Sequence, residues 1–447
     1  MNNKILILVT LALVFSCKEN DKPQKAETQS INNYAVEIDS FLTNLAKDQV
    51  FMGSVSLSKN GEVVYSNAIG YSDLEGEIKA NKNTKYRIAS ITKVFTAVLI
   101  FKAIEDGKIQ LDQTIDSFFP TLLDGYKITI AHLLHHQSGI MSYTKDQYFW
   151  DNRTQNQSTK DLMNVISSLD RNFEPGENTE YSNSNYFLLA QLLELIYDDR
   201  YENLLEKNII KPLGLQDTYV GKTTHSDHNE SFSYTSENGE WKLFPETHLS
   251  IAKGSGSLLS TPSDLNIFFR SLMNGQLISS ASIEKMTTII RNHGMGIFRY
   301  HIHDQSGYGH GGNIDGFTAN SIYFMDLDVA LTISSNASSM PIEEVYSEIL
   351  KAYLGKQEVT ISEEEVAQFV GVYISENDPE DQCVFIQDNN VLVNFIKNEF
   401  KAPLVYWGNN RFVLEQLYAE SISFTFSDDG NQLIFDQGDY RGVYKKE

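Results

Sequence analysis

Cysteine is nearly missing from this chain. Of 447 residues, only Cys17 and Cys383 carry a thiol, so no zinc-ligand set can be built on cysteine. Basic residues are also short: 36 Lys and Arg stand against 59 Asp and Glu, a formal charge of −23. Nucleic-acid-binding surfaces are basic, which excludes that class of partner, and electrostatic attachment to anionic lipid is disfavoured. There is no dinucleotide fingerprint and no P-loop, and no cofactor is expected. Long apolar runs are few, and the longest, "ILILVTLALVF" at the N-terminus, is too short to be a comfortable membrane span. What remains, 41% hydrophobic and 11% aromatic, is the composition of a soluble globular protein long enough for two or three domains.

That run belongs to "MNNKILILVTLALVFSC", which reads as a secretory signal over residues 1–17. Its end on Ser16-Cys17 resembles a bacterial lipobox, with Phe15 a departure where a smaller residue is usual. That resemblance implies lipidation of Cys17, a membrane anchor, export across the inner membrane and residence in the cell envelope. A lipidated Cys17 leaves Cys383 alone, and no intramolecular disulfide is then possible in the mature chain. Residues 18–34, polar and without periodicity, read as a solvated tether.

Ser-x-x-Lys occurs four times: Ser56–Lys59, Ser90–Lys93, Ser142–Lys145 and Ser282–Lys285. "SVSLSKNGEVV" alternates apolar and small residues into Asn60-Gly61, a strand entering a hairpin. On a strand, residues three apart face opposite ways, so Ser56 does not meet Lys59. Ser142–Lys145 falls in a polar loop with nothing to fix its geometry. Ser282–Lys285 lies on a short amphipathic helix, with Lys285 a solvated charge. Ser90–Lys93 alone precedes an apolar run, "VFTAVLIFKAIEDG", of the kind that makes a buried helix. The first turn of such a helix puts serine and lysine on one face. Burial favours the neutral amine, which can take a hydroxyl proton, and a helix N-terminus favours a developing anion. The segment equally allows Ser90 as an N-cap and Lys93 snorkelling to water.

Residues 35–355 read as one α/β unit: a helix and two strands, then helices, then strands and a closing helix, a mostly antiparallel sheet with a helical insert. Thr129 is expected to cap a short helix running to Gly139, and Ser263 or Asp264 a later one. From 361 to 447, eight short alternating runs separated by turn residues read as a small antiparallel barrel or sandwich. It has no polar cluster readable as a second active site.

Two more segments decide between the readings of Ser90: "FEPGENTEYSNSNYFLLAQLLE", carrying Tyr181-Ser182-Asn183, and "YGHGGNIDGFTANSIYFMD", carrying His310-Gly311-Gly312. With Ser90–Lys93 they resemble, in order and spacing, the three motifs of the serine β-lactamase and penicillin-binding-protein superfamily. The branch is that of class C β-lactamases, D-Ala-D-Ala carboxypeptidases, D-aminopeptidases and related esterases. "HLLHHQSGI", "EPG" and "GSLLSTPSDL" fit the same pattern. The resemblance implies a β-lactamase-like fold and an acyl-enzyme on Ser90, with Lys93 beside it and Tyr181 sharing the proton transfers. It leaves the base open between Lys93 and Tyr181 and identifies no dedicated deacylation base. It implies that Asn183, His310, Gly312 and Asn313 bind substrate, with the backbone N–H groups of Ser90 and Asn313 as oxyanion hole. Position 310 departs from the lysine usual in β-lactamases and carboxypeptidases: His310 is expected to be only partly charged near neutral pH, and Gly311 removes a hydroxyl. This favours an esterase or D-amino-acid peptidase on a small-molecule or peptide substrate. A true β-lactamase and a non-catalytic binding or sensor module are the alternatives. The oligomeric state is left open.

Other histidines carry less. His135 and His136 diverge on their helix, which speaks against a metal with His132. His301 and His303 share a strand face and are expected at a core edge. No metal site is expected.

Overall fold

The structure, a computed structural model, describes residues 24–356, 359–396, 400–414, 422–437 and 440–447. The leader with Cys17 and residues 18–23 of the expected tether lie outside the described residues. The remainder of that tether is not extended: helix α1 spans Gln24–Lys47, its opening "QKAE" being made of good helix formers.

Six strands form the main sheet: β1 (Phe51–Lys59), β2 (Glu62–Ile69), β3 (Phe298–Ile302), β4 (Gln305–Ile314), β5 (Phe317–Phe324) and β6 (Val329–Ser338). Their order is β3-β4-β5-β6-β1-β2, and each neighbouring pair is antiparallel. The β1–β2 hairpin turns at Asn60 and Gly61, with φ of 54° and 85°, as a two-residue loop with both central residues left-handed requires.

The alternation in "SVSLS" builds the two faces of β1. Val55 and Leu57 join Ile38 and Leu42 of α1 and Val345 and Ile349 of α6 (Ile342–Tyr353) in one apolar cluster. The serines face the other way: Ser56 takes hydrogen bonds from Ser263 Oγ (3.1 Å) and Asn266 Nδ2 (3.2 Å) on α5 (Pro262–Met273), while Lys59 reaches the Leu327 carbonyl. The cap of α5 is Thr261, not Ser263 or Asp264, because Pro262 is suited to the first helical position and sets the boundary one residue before itself. On this face the larger core packs α2 (Thr92–Glu105), α3 (Ile130–Leu134), α4 (Asn183–Tyr197) and α5 together. Every residue from Thr92 to Phe101 is buried. Thr129 caps α3 by accepting from His132 N (3.1 Å), but the helix stops at Leu134, and His136 turns left-handed at φ 59°.

Beyond α6, nine strands form one antiparallel sheet: β7 (Gly371–Ser375), β8 (Gln382–Asp388), β9 (Val391–Ile396), β10 (Phe400–Pro403), β11 (Val405–Tyr406), β12 (Arg411–Leu414), β13 (Ile422–Phe426), β14 (Gln432–Gln437) and β15 (Tyr440–Lys446). The order is β10-β9-β8-β7-β15-β14-β13-β12-β11. The two edge strands are joined through Leu404 alone, so the sheet is a nearly closed barrel. "PLVYWG", expected as one strand, is divided here: β10 pairs with β9, and β11 with β12.

Candidate active site

Ser90 sits in a single 3-10 turn, Ala89–Ile91, that leads into α2. Ala89 before it is left-handed, with φ 46°, a costly backbone state for a residue with a Cβ and one that clusters at functional sites. Strand β4 presses against this turn. Pairing of β3 with β4 ends at Phe298↔Gly309, so residues 310–314 pair only with β5 and offer their other edge to Ser90. A Cβ on Gly312 would lie 2.3 Å from the Ile88 carbonyl oxygen and 3.0 Å from Ser90 N. Only glycine lets the two backbones approach so closely.

Lys93 is fully buried. Its Nζ lies 3.1 Å from Ser90 Oγ, 2.8 Å from Asn183 Oδ1 and 2.7 Å from the Ser255 carbonyl oxygen. It also stands 4.8 Å from the centroid of the Tyr181 ring. Burial holds its pKa well below the ordinary lysine value, which favours the neutral amine. A neutral amine has two N–H groups and one lone pair. Asn183 Oδ1 and the Ser255 carbonyl can only accept, and they use both N–H groups. The lone pair is left for the hydroxyl of Ser90.

Asn183 is the first residue of α4 and is held from below. Its backbone N–H donates to Ser142 Oγ (3.1 Å) and its Nδ2 to Thr144 Oγ1 (3.1 Å). Ser142, expected in an unconstrained loop, is thus buried and fixed, while Lys145 pairs with Glu180 at the surface.

The imidazoles form the floor. His136 Nδ1 accepts from the backbone N–H of Ser182 (3.1 Å), which leaves the proton of the neutral ring on Nε2. The ring lies 4.4 Å from that of Tyr181, and burial lowers its pKa well below 6.5. His310 Nδ1 donates to the Gly311 carbonyl, its ring meets Phe298 edge-on at 4.8 Å, and its Nε2 is buried without a partner. Burial is the chief cause that pushes its pKa down, to about 3. The expected partial charge on His310 is therefore corrected: the ring is neutral, because it is only 3% exposed and desolvation penalises the cation.

The remaining histidines are committed elsewhere. His132 Nδ1 accepts from Thr129 N, and His135 Nδ1 donates to the His293 carbonyl. His301 bonds Ser306 Oγ, and His303 bonds Ser347. His303 lies past the end of β3 at φ 50°, so it does not share a strand face with His301 as expected.

A cavity of about 340 Å³ opens over the turn, and Ser90, Asn183 and Asn313 line it. Lys93, Tyr181, His310 and Gly312 are not among its lining residues. The aromatic side of the cavity, Tyr143, Phe149, Trp150 and Phe244, was not anticipated from the sequence. Nor was Asp315, whose side chain is 2% exposed and binds Arg87 (3.3 Å), Arg153 (3.0 Å) and Thr247 Oγ1 (2.7 Å). Asp315 stands five residues after His310 in "HGGNID", so its nearness to the third motif was the available signal.

Known proteins match this picture. The family described as beta-lactamase matches residues 38–353. A penicillin-binding protein of Bacillus subtilis (strain 168) is 26% identical over 450 residues, 91% of this chain and 97% of that protein. Protein flp of Staphylococcus aureus (strain MW2) is 30% identical over 209 residues, so this chain spans 42% of its length and the match covers 45% of this chain. The D-stereospecific amidohydrolase from Streptomyces sp. superposes with a TM-score of 0.63 at 25% identity, over 72% of this chain and 99% of that one. With the family match spanning most of the chain, on a six-stranded antiparallel sheet flanked by helices, this protein belongs to the β-lactamase family, within the serine β-lactamase and penicillin-binding-protein superfamily.

Proposed function

We propose that this chain is an acyl-transfer hydrolase with Ser90 as nucleophile and neutral Lys93 as its base. The observation that carries the reading is the placement of Lys93 Nζ between two pure acceptors and the Ser90 hydroxyl. Ser90 Oγ attacks a carbonyl carbon and its proton passes to Lys93. The carbonyl oxygen gathers negative charge against the backbone N–H groups of Ser90 and Asn313, where one donor is typically worth about 3 kcal/mol in the transition state. The tetrahedral intermediate collapses, the leaving amine or alkoxide takes up the proton by way of Lys93 or Tyr181, and water then releases the acyl group from Ser90. Amides or esters of D-amino acids are the substrate class, by likeness to the Streptomyces D-stereospecific amidohydrolase.

Intact mass after incubation with a fluorophosphonate tests the chemistry. One adduct on wild type and none on Ser90→Ala is expected. Lys93→Arg should slow labelling by about 10²–10⁴, because a guanidinium does not give up its proton and general-base help is worth that much. Labelling of Ser90→Ala, or full speed in Lys93→Arg, would sink the assignment.

The same proposal places the chain in the envelope, anchored through a lipidated Cys17. Wild type should sediment with membranes from a bacterial host and Cys17→Ser should not. Equal partitioning of the two would remove the anchor.

A further inference from the structure

The cavity over Ser90 has two charged residues in its lining, Arg153 and Asp315. Asp315 is withdrawn, 2% exposed and enclosed by its partners, while Arg153 keeps 13% of its side chain exposed. The charge that meets a ligand is therefore positive, in a chain whose net charge is −23.

Arg153 is also held still. Its Nη1 donates to Asp315 Oδ1 (3.0 Å), Thr247 Oγ1 (3.1 Å) and the Pro245 carbonyl (2.9 Å). Its guanidinium carbon stands 5.2 Å from the Phe244 ring centroid and 6.0 Å from that of Trp150. Nε and Nη2 take no partner among the described residues. A guanidinium fixed on one side and bordered by rings has little freedom left to lose, and its open N–H pair matches the spacing of a carboxylate. Asp315 is shared with Arg87, which also pairs with Glu246 (2.8 Å), so the four groups balance in charge, and what Arg153 offers a ligand is its unpartnered N–H edge. His310, expected from the sequence to be partly charged, is held neutral by burial.

We propose that Arg153 is the anion-recognition residue of this site, selecting substrates that carry a carboxylate on an aromatic or apolar body packed along Phe149, Trp150 and Phe244. The inference rests on the hydrolase reading for what the site does with such a substrate. The binding itself does not depend on Ser90 reacting.

Calorimetric titration of the full chain with 3-phenylpropionate and with its amide tests it. The two differ in charge and little in shape, and charge-assisted hydrogen bonds should favour the acid by roughly tenfold or more. The acid should also slow fluorophosphonate labelling of Ser90, which locates it in this cavity. In Arg153→Gln the preference should vanish. Because the ratio is taken within each variant, a general weakening cancels. Should Arg153→Gln fail to melt cooperatively, Arg153→Lys decides: it keeps a charge beside Asp315 but loses the paired N–H edge, and its preference should drop to a few-fold. Equal affinities in wild type, no measurable binding of the acid, or an undiminished preference in the variants would overturn the inference. Acid preference without Ser90 labelling would instead sink the hydrolase reading alone.

Discussion

His310 illustrates what burial does to a side chain whose chemistry reads differently in sequence. A histidine at the third motif suggests a weak cation near neutral pH. Enclosed between Phe298, Tyr181 and the backbone of its own strand, it is instead a neutral ring with its pKa near 3. This has a consequence for stability. An unfolded histidine titrates near 6.5, so between that pH and about 3 the unfolded chain binds a proton that the folded chain refuses. Linkage then requires stability to be full above about 6.5 and to fall as the pH is lowered through this window. His136 and His293, also depressed by burial, add to the slope. The melting temperature of wild type should decline as the pH is lowered from about 7 to about 4.5. His310→Gln, which can still donate to the Gly311 carbonyl, should decline less steeply. Parallel declines in the two proteins would mean that the acid sensitivity belongs to other groups.

Elements were legible in the sequence where their cause is local. The alternation of β1, the left-handed Asn60-Gly61 turn and the apolar run of α2 each depend on neighbours a few residues away, and each stands where expected. The motif residues Ser90, Lys93, Tyr181 and Asn183 also come together around one amine. Misreadings begin where a distant partner decides. Ser142 looked unconstrained because the group that fixes it, the N–H of Asn183, is 41 residues away. Arg153 and Asp315 are separated by 162 residues, and Arg87 and Asp315 by 228, so no periodicity could join them. The division of residues 400–406 between two edge strands follows from closure of a barrel whose pairing spans the whole C-terminal segment. Even the local miss at α5 has this form: Ser263 and Asp264 are good caps in isolation, and Pro262 overrules them by where it can sit.

At the scale of the molecule, the barrel and the body carry separate cores. The apolar clusters of the body hold no residue after Leu354, and the barrel's cluster holds none before Ile361. Polar contacts are among those that join them. Asp304 pairs with Arg411 at 3.8 Å, both side chains more than two-fifths exposed, and Lys356 stands 4.8 Å from the Trp407 ring centroid. Exposed ion pairs of this kind contribute at most about 1 kcal/mol each, and a protein built so is not expected to melt as one unit. The cavity over Ser90 is lined entirely from the body, between Ala89 and Asp315. A chain ending at Lys356 should therefore stay folded, melt in a single transition and label at Ser90 within about threefold of the full-length rate. The full-length protein should show a second transition that the shortened one lacks. A shortened chain that melts as before but no longer labels would assign the barrel a part in shaping the site. One that no longer melts cooperatively would mean that the two cores depend on each other through contacts stronger than these.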